Sequence, residues 1–286
     1  MSFVGGGLGG EAGNRGGPAP GSSAGQAPVA WQPLTPRGVA AFAGASLGRL
    51  LLVQLIVALL AAATVVWFLH QCWFPAVTEA IRGLPPQGEI RNGLLDWTGH
   101  SPKRLAEGRF LAITADLDHT GEGRSPAHVQ VEFGRRDFRV YSLLGDFRGA
   151  YPQTRALALN RTELWPWWGA WTPAILAMAA GLVTGALMIC WAGLATVYCL
   201  PAWLVGLFAN RSCTLGGSWR LAGAALMPGA LLMCAILVVY GWGGLDIVRL
   251  AAAGALHLMV GWIYLLISLL RLPRHPDAAA TGNPFR

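Results

Sequence analysis

Charged residues are scarce in this chain. Only 12% of its 286 residues are Asp, Glu, Lys or Arg, whereas a typical soluble domain carries about 25%. Hydrophobic residues make up 54%, and the mean hydropathy is +0.46. Lysine is nearly absent, since Lys103 is the single lysine in the sequence. This composition indicates an integral membrane protein whose main partner is the lipid bilayer.

Other features that the sequence lacks exclude further classes of partner and cofactor. The formal net charge is +7, but the arginines are spread out, with no basic run and no aromatic platform, so we predict no nucleic-acid partner. The five cysteines show no metal-ligand spacing, and Cys72 alone lies near the soluble part of the chain. We therefore expect cysteines that serve in packing, no disulfide framework and no cofactor.

Long apolar runs, in contrast, are abundant. At 1.5 Å per residue, several of them are long enough to cross a hydrocarbon core of about 30 Å. We predict a mainly α membrane protein with a four-helix transmembrane bundle, its helices covering residues 50–73, 168–200, 221–240 and 245–270. The Gly/Pro-rich segment 1–36 is predicted to be a disordered tail, and 274–286 a second tail.

The second apolar stretch allows two interpretations. It runs from Trp165 to Ala209 without a charge, which is too long for one crossing. Pro201 is the clearest helix breaker in it, so we favour one span followed by an interfacial segment at 201–209. The alternative is two spans joined by a tight turn, which gives five spans in total.

Arginines near the span ends indicate the orientation. In the four-span arrangement six of them share one side: Arg37, Arg49, Arg211, Arg220, Arg271 and Arg274. Three others, Arg82, Arg161 and Arg249, lie near the membrane on the opposite side. Because basic residues concentrate in cytoplasmic loops, we expect both termini in the cytoplasm of a bacterium and the long loop outside its inner membrane.

That loop, residues 75–163, is predicted to form a small β-rich extracytoplasmic domain inserted between helices 1 and 2. Residues 129–133 and 138–141 alternate with period two and suggest a hairpin. Asn92-Gly93 predicts a second tight hairpin. In the first of these strands we expect Val131 to be buried and Gln130 to lie on the opposite, solvent-facing side.

A strand followed by Asp116-Leu117-Asp118-His119-Thr120 has the form of a ligand-binding turn. Asp116 and Asp118 match the start of a phosphatase nucleophile motif, but the further acidic residues that its Mg²⁺ site needs do not follow. They also match the start of a calcium loop, whose twelfth position is Ala127 instead of Glu. We interpret the segment as a polar turn, with both aspartates kept as weak ligand candidates and no enzymatic site.

The remaining candidate site residues are histidines and one glutamine. His100, His119 and His128 show no metal-binding spacing, so we expect surface imidazoles. Within the predicted spans the polar candidates are His257 and Gln54. An ionisable group at membrane depth is a functional candidate, but a neutral imidazole can also bond Thr184, Thr196 or a carbonyl across a helix interface.

The order of parts resembles a family of bacterial membrane proteins labelled maltodextrin-utilisation proteins, with a Yip1-like helical bundle. The residues that carry the resemblance are 88–94 (GEIRNGL), 115–121 (ADLDHTG) and the apolar hairpin after Arg220. The resemblance implies one span, an outside β-rich segment and a bundle, and it implies no catalytic residue.

From these observations we expect a non-enzymatic membrane anchor or accessory subunit. Its outside domain would contact an envelope protein partner, or the chain would form a homo-oligomer through a stripe of small residues at Ala177, Gly181 and Gly185. A small-solute permease is the alternative, and an envelope enzyme is a second one.

Overall fold

The structure, a computed structural model, describes residues 31–274. It is mostly helical and contains four long apolar helices and a separate β-sheet region. The helices that are long and apolar enough to cross a membrane are Leu47–Gly83, Arg161–Phe208, Leu215–Gly241 and Ile247–Leu270. The tails predicted at 1–36 and 274–286 fall outside the described residues, apart from 31–36 and Arg274.

The first long helix is built from consecutive pieces. Helix α1 (Pro36–Ala41) and a 3-10 turn (Phe42–Gly44) precede α2 (Leu47–Phe68), which continues through a π-helical turn (Leu69–Trp73) into α3 (Phe74–Gly83). Residues 75–83, which we assigned to the β-rich domain, are therefore helical. Pro75 occupies the first turn of α3, where a missing N–H costs little, so the helix does not end there.

Helix α4 (Arg161–Phe208) is continuous over 48 residues. The separate segment that we predicted at 201–209 is instead its last turns, and there is no turn that would make two spans. Pro201 removes one helical hydrogen bond, but Ala202 is buried and Gly206 contacts Cys213 and Leu269. Packing against neighbouring helices holds the chain helical through the proline.

The remaining helices form the other half of the bundle. Helix α5 (Leu215–Ala225) passes through Leu226 directly into α6 (Met227–Gly241), so the third long helix starts six residues before the predicted Leu221. A short turn connects α6 to α7 (Ile247–Leu270), and these two helices pack side by side. Small residues let α5 approach α2 and α4, and the shared core includes Leu50, Ala195, Leu221 and Ala225.

Eight strands form two sheets. The strands are β1 (Gly88–Arg91), β2 (Leu94–Trp97), β3 (Lys103–Glu107), β4 (Leu111–Ala115), β5 (Val129–Phe133), β6 (Asp137–Ser142), β7 (Gly145–Ala150) and β8 (Leu157–Ala158). The small sheet has the order β2-β1-β8 and the large one β3-β4-β5-β6-β7. Only β4 and β5 pair in parallel, and α3 packs on β3 and β4.

Both predicted hairpins are confirmed. Strands β1 and β2 pair antiparallel around Asn92 and Gly93, whose φ angles of +52° and +73° suit the tight turn. Strands β5 and β6 pair antiparallel with Val131 opposite Val140.

The expected burial of β5 is wrong. Val131 packs against the apolar core beneath α3 but is only partly buried, whereas Gln130 and Glu132 on the other face are buried. The reason is the 13-residue connection between β4 and β5, residues 116–128, which folds back over this polar face. There Ser125 donates its backbone N–H to Gln130 Oε1. Period-two alternation cannot reveal such a cover, because a polar strand face normally lies in solvent.

Candidate functional site

Asp116 ends strand β4 and is fully buried. Its Oδ2 accepts hydrogen bonds from the Thr120 hydroxyl (3.0 Å) and the Gly121 backbone N–H (2.9 Å). Its Oδ1 is buried with no partner among residues 31–274. Burial acts to raise the pKa of Asp116, but the hydrogen bonds from Thr120 and Gly121 outweigh it and the pKa is lowered. Asp116 thus holds the turn closed as a carboxylate.

Asp118, by contrast, is solvent-exposed and lies 3.7 Å from Arg135 in a surface ion pair. The structure therefore does not bring the two predicted ligand candidates together. Among the described residues no cluster of three or more His, Cys, Asp or Glu side chains has an arrangement that would hold a metal ion. Asp116 stabilises the turn that follows it, whereas Asp118 forms only an ion pair at the surface.

The side chain that does join Asp116's turn to the sheet is His119. Its backbone has a positive φ of 53°, which directs the imidazole beneath the strands. There Nδ1 contacts Glu132, and Nε2 lies 2.9 Å from Asp137 Oδ1. Asp137 also forms an ion pair with Arg148. Four side chains from the turn, β5, β6 and β7 thus form one polar cluster, in which Glu132 and Asp137 are buried, His119 is partly buried and Arg148 is exposed at the rim.

Charge is balanced within this cluster. Burial acts to lower the pKa of His119, but its hydrogen bonds to Glu132 and Asp137 outweigh this and raise the pKa. Burial acts likewise to raise the pKa of Asp137, whereas His119 and Arg148 lower it. The imidazolium therefore acts as the counter-ion of two carboxylates, which is a structural arrangement.

The three histidines of the β-sheet region do not converge. His119 is in the polar cluster, and only His100 is exposed at the surface. His128 Nδ1 lies 2.6 Å from the Tyr240 hydroxyl on α6. Our expectation of three surface imidazoles is thus wrong for His119 and His128. One local signal pointed to His119: two acidic residues, Glu132 in β5 and Asp137 at the start of β6, lie on neighbouring strands of the predicted hairpin.

His128 belongs to a contact that fixes the sheets on the helices. Tyr240 stacks on His128, and Phe110 packs between Phe68 and Tyr240. Arg109 donates hydrogen bonds to the carbonyls of Gly243 (2.8 Å) and Leu245 (2.7 Å) in the turn between α6 and α7. Burial, followed by the Arg109 charge, lowers the pKa of His128, which favours the neutral ring in this aromatic contact.

The two polar candidates in the long helices have different surroundings. Gln54 is buried and its Nε2 donates to the Gly223 carbonyl across the α2–α5 contact (3.1 Å). His257 does not reach Thr184 or Thr196; its Nδ1 contacts the Gly254 carbonyl of its own helix. A carbonyl can only accept, so Nδ1 is the donor in this contact.

His257 also lines a cavity between the long helices. This cavity has a volume of about 380 Å³ and lies between α2, α4, α6 and α7. Its walls are mostly apolar, with Thr64, Tyr198, Cys234 and His257 as the polar exceptions. It has the size and the apolar lining of a small-molecule site.

The small-residue stripe of α4 is open. No neighbouring atom lies within 4 Å of a Cβ built on Gly181 or Gly185, so this face packs against no other part of residues 31–274. Comparisons with protein-family models, curated proteins and solved structures find no match.

Proposed function

We propose that this chain is a non-enzymatic integral membrane protein that presents its β-sheet domain to a protein partner of the bacterial envelope. In this arrangement the four long helices form a transmembrane bundle and the domain lies outside the inner membrane. Support comes from the helix ends opposite the sheets. There Arg211 donates to the Leu272 carbonyl and Arg220 to the Ala43 carbonyl, so the arginine-rich segments gather at one end, as the positive-inside rule favours for the cytoplasm.

The observation that carries the proposal is an asymmetry of the large sheet. Its β3 edge packs against α3, and the contacts of Arg109 and His128 hold this side on the bundle. The β7 edge pairs with no further described strand; Phe147 on β7 is 62% exposed, and Leu144 in the turn before it is 97% exposed. An uncovered edge strand with exposed apolar side chains is a template for a further strand. We therefore assign the partner as an extended, partly apolar segment that adds to β7.

A non-enzymatic role agrees with the polar cluster. Both ring nitrogens of His119 are engaged by carboxylates, so neither is available as a general base. The proposal needs no reacting group, only a domain held in a fixed orientation.

Purification from the native cell in mild detergent tests the proposal. A partner that copurifies with the wild-type chain should be lost from Phe147→Asp and retained by Arg104→Asp, a matched change on the docked β3 edge. Retention by both variants would contradict the β7 assignment. For orientation, a reporter active only in the periplasm should work after Arg124 and be silent after Arg274; activity after Arg274 would reject the proposed orientation.

The cavity beside His257 favours a second candidate, a permease for a small solute. An apolar chamber of about 380 Å³ bounded by all four long helices can hold a solute, and the His257 imidazole in its wall can form a hydrogen bond with it. No described span contains a central Asp, Glu or Arg for ion coupling, so this candidate is limited to uncoupled transport. Flux measured in vesicles that contain the purified chain separates it from the first.

A further inference from the structure

Two arginines at the domain end of the helices have no anionic partner. The positive-inside pattern leaves Arg82, Arg161 and Arg249 near the membrane on this side. Arg249 pairs with Asp246 at 3.4 Å, but within residues 31–274 neither Arg82 nor Arg161 forms an ion pair. Basic residues are normally few near the membrane on the non-cytoplasmic side. Arginines there that lack an ion pair are candidates to bind an anionic ligand.

Arg82 and Arg161 face the same cavity. It has a volume of about 400 Å³ and is lined by Arg82 at the end of α3 and by Arg161, Thr162 and Trp165 at the start of α4. The Arg82 guanidinium lies 4.9 Å from the centroid of the Trp165 ring, which fixes its plane. The two exposed arginines therefore border one open, solvent-accessible cavity.

The backbone around this cavity is fixed before any ligand binds. Arg161 donates its N–H to the Pro85 carbonyl (3.0 Å) and the Thr162 hydroxyl donates to the Pro86 carbonyl (3.1 Å). Asn160 caps α4 by accepting from the Glu163 N–H and donates to the Gly88 carbonyl. The backbone positions of both arginines are thus set in advance, and guanidinium groups bind phosphate oxygens through charge-assisted hydrogen bonds.

The surroundings favour a lipid over a free ion. A second cavity of about 380 Å³ shares Arg82 and runs between α3 and α4, along Phe74, Trp168 and Thr172. Trp165, Trp167, Trp168 and Trp171 cluster here, and tryptophan concentrates at the membrane–water interface. Glu79 also lines this second cavity, where it can accept a hydrogen bond from a headgroup hydroxyl.

We propose that Arg82 and Arg161 bind the phosphate of an anionic phospholipid headgroup, with the adjoining groove between α3 and α4 receiving the rest of the lipid. This site lies apart from β7, so it does not depend on the envelope partner. The bound lipid would join the base of the β-sheet domain to the bilayer surface beside α4.

Native mass spectrometry of the full chain in detergent tests this site. With phosphatidylglycerol added, the wild type should retain one lipid, and it should bind phosphatidylcholine at least about tenfold more weakly, since the charge-assisted bonds favour the anion. Arg82→Gln and Arg161→Gln should each lose the retained lipid. Arg249→Gln, at the same end but ion-paired in the wild type, is the matched control and should keep it.

Three results would overturn the proposal: retention of phosphatidylglycerol by both Gln variants, equal retention of phosphatidylcholine by the wild type, or inorganic phosphate displacing the lipid at equal concentration. A second measurement needs no variant to fold. Phosphatidylglycerol should raise the melting temperature of the wild type more than phosphatidylcholine does, because a ligand stabilises the state that binds it. Equal shifts would also reject the site.

Discussion

The Nδ1 atom of His128 lies 2.6 Å from the hydroxyl of Tyr240, although 112 residues separate the two in the chain. One residue precedes a strand and the other is near the end of a long helix. Their rings also stack with centroids 5.4 Å apart, so the contact joins the two parts of the molecule through both a hydrogen bond and packed surface. It gives the β-sheet domain a fixed position on the helices.

Arg109 provides the sharpest test of this attachment. Arg109→Ala removes two hydrogen bonds to the α6–α7 turn, each worth about 1–3 kcal/mol with a charged donor and less where solvent screens it. We expect faster hydrogen exchange around Gly243 and easier proteolysis near Phe110. Arg104→Ala, which breaks only the exposed pair with Glu107, should leave both measurements near wild type. Equal effects of the two changes would mean that Arg109 does not hold the domain.

The buried polar face of β5 leads to a prediction opposite to the one that period-two alternation gives. Gln130 is 3% exposed and bonds Thr114 and the Gly123 carbonyl, so Gln130→Asp places an unpaired carboxylate in a covered site. We expect it to cost about 3 kcal/mol or more, at least as much as Val131→Asp. Protease resistance of the domain is the measurement. A mild Gln130→Asp would show that residues 116–128 do not cover this face.

The His119 cluster predicts a dependence on pH. The folded-state pKa of His119 is raised, so its contribution to stability is fully present below its ordinary value of 6.5 and is lost as the pH rises through the raised value. Asp116 and Asp137 have lowered pKa values, so their contributions are present above their ordinary value of 3.8 and are lost as the pH falls through the lowered values.

We therefore expect His119→Gln to destabilise the domain most between pH 3.8 and 6.5, by about 1–3 kcal/mol. The difference from wild type should shrink at alkaline pH, as the wild-type imidazole loses its charge. Thermal unfolding followed at several pH values measures this. His100→Gln, at an exposed site, should change the unfolding free energy by less than about 0.5 kcal/mol throughout. A pH-independent cost at His119 would contradict the counter-ion role.

His257 distinguishes the anchor from the permease. If its imidazole only bonds the Gly254 carbonyl, His257→Asn and His257→Leu should stay folded, with a stability change of about 1 kcal/mol or less. Both variants should then complement a deletion strain, which is the result we expect. Normal melting temperatures in detergent together with loss of complementation in both variants would favour the permease. Gln54→Leu, which removes a different intramembrane hydrogen bond, serves as the control.

Some local features of the fold could be predicted from the sequence. The Asn92-Gly93 turn has a conformation that few other residue pairs adopt readily, so its hairpin was predictable. Gln54 stands alone in a charge-free run, and such a polar group needs a partner, as it finds in Gly223. The partner itself, 169 residues away, could not be deduced, because no local rule specifies which helices pack together.

Four stretches apolar enough for lipid, with a strand-rich segment between the first two, could be predicted from the amino-acid order, because hydropathy and period-two alternation are local properties. Three features became visible through the folded chain: Gln130 and Glu132 are buried, α4 continues through Pro201, and Arg82 and Arg161 border one cavity. Each of these depends on what lies opposite a residue in space. A residue's own chemistry fixes whether it favours water or lipid, whereas its partners are fixed by packing between segments distant in sequence.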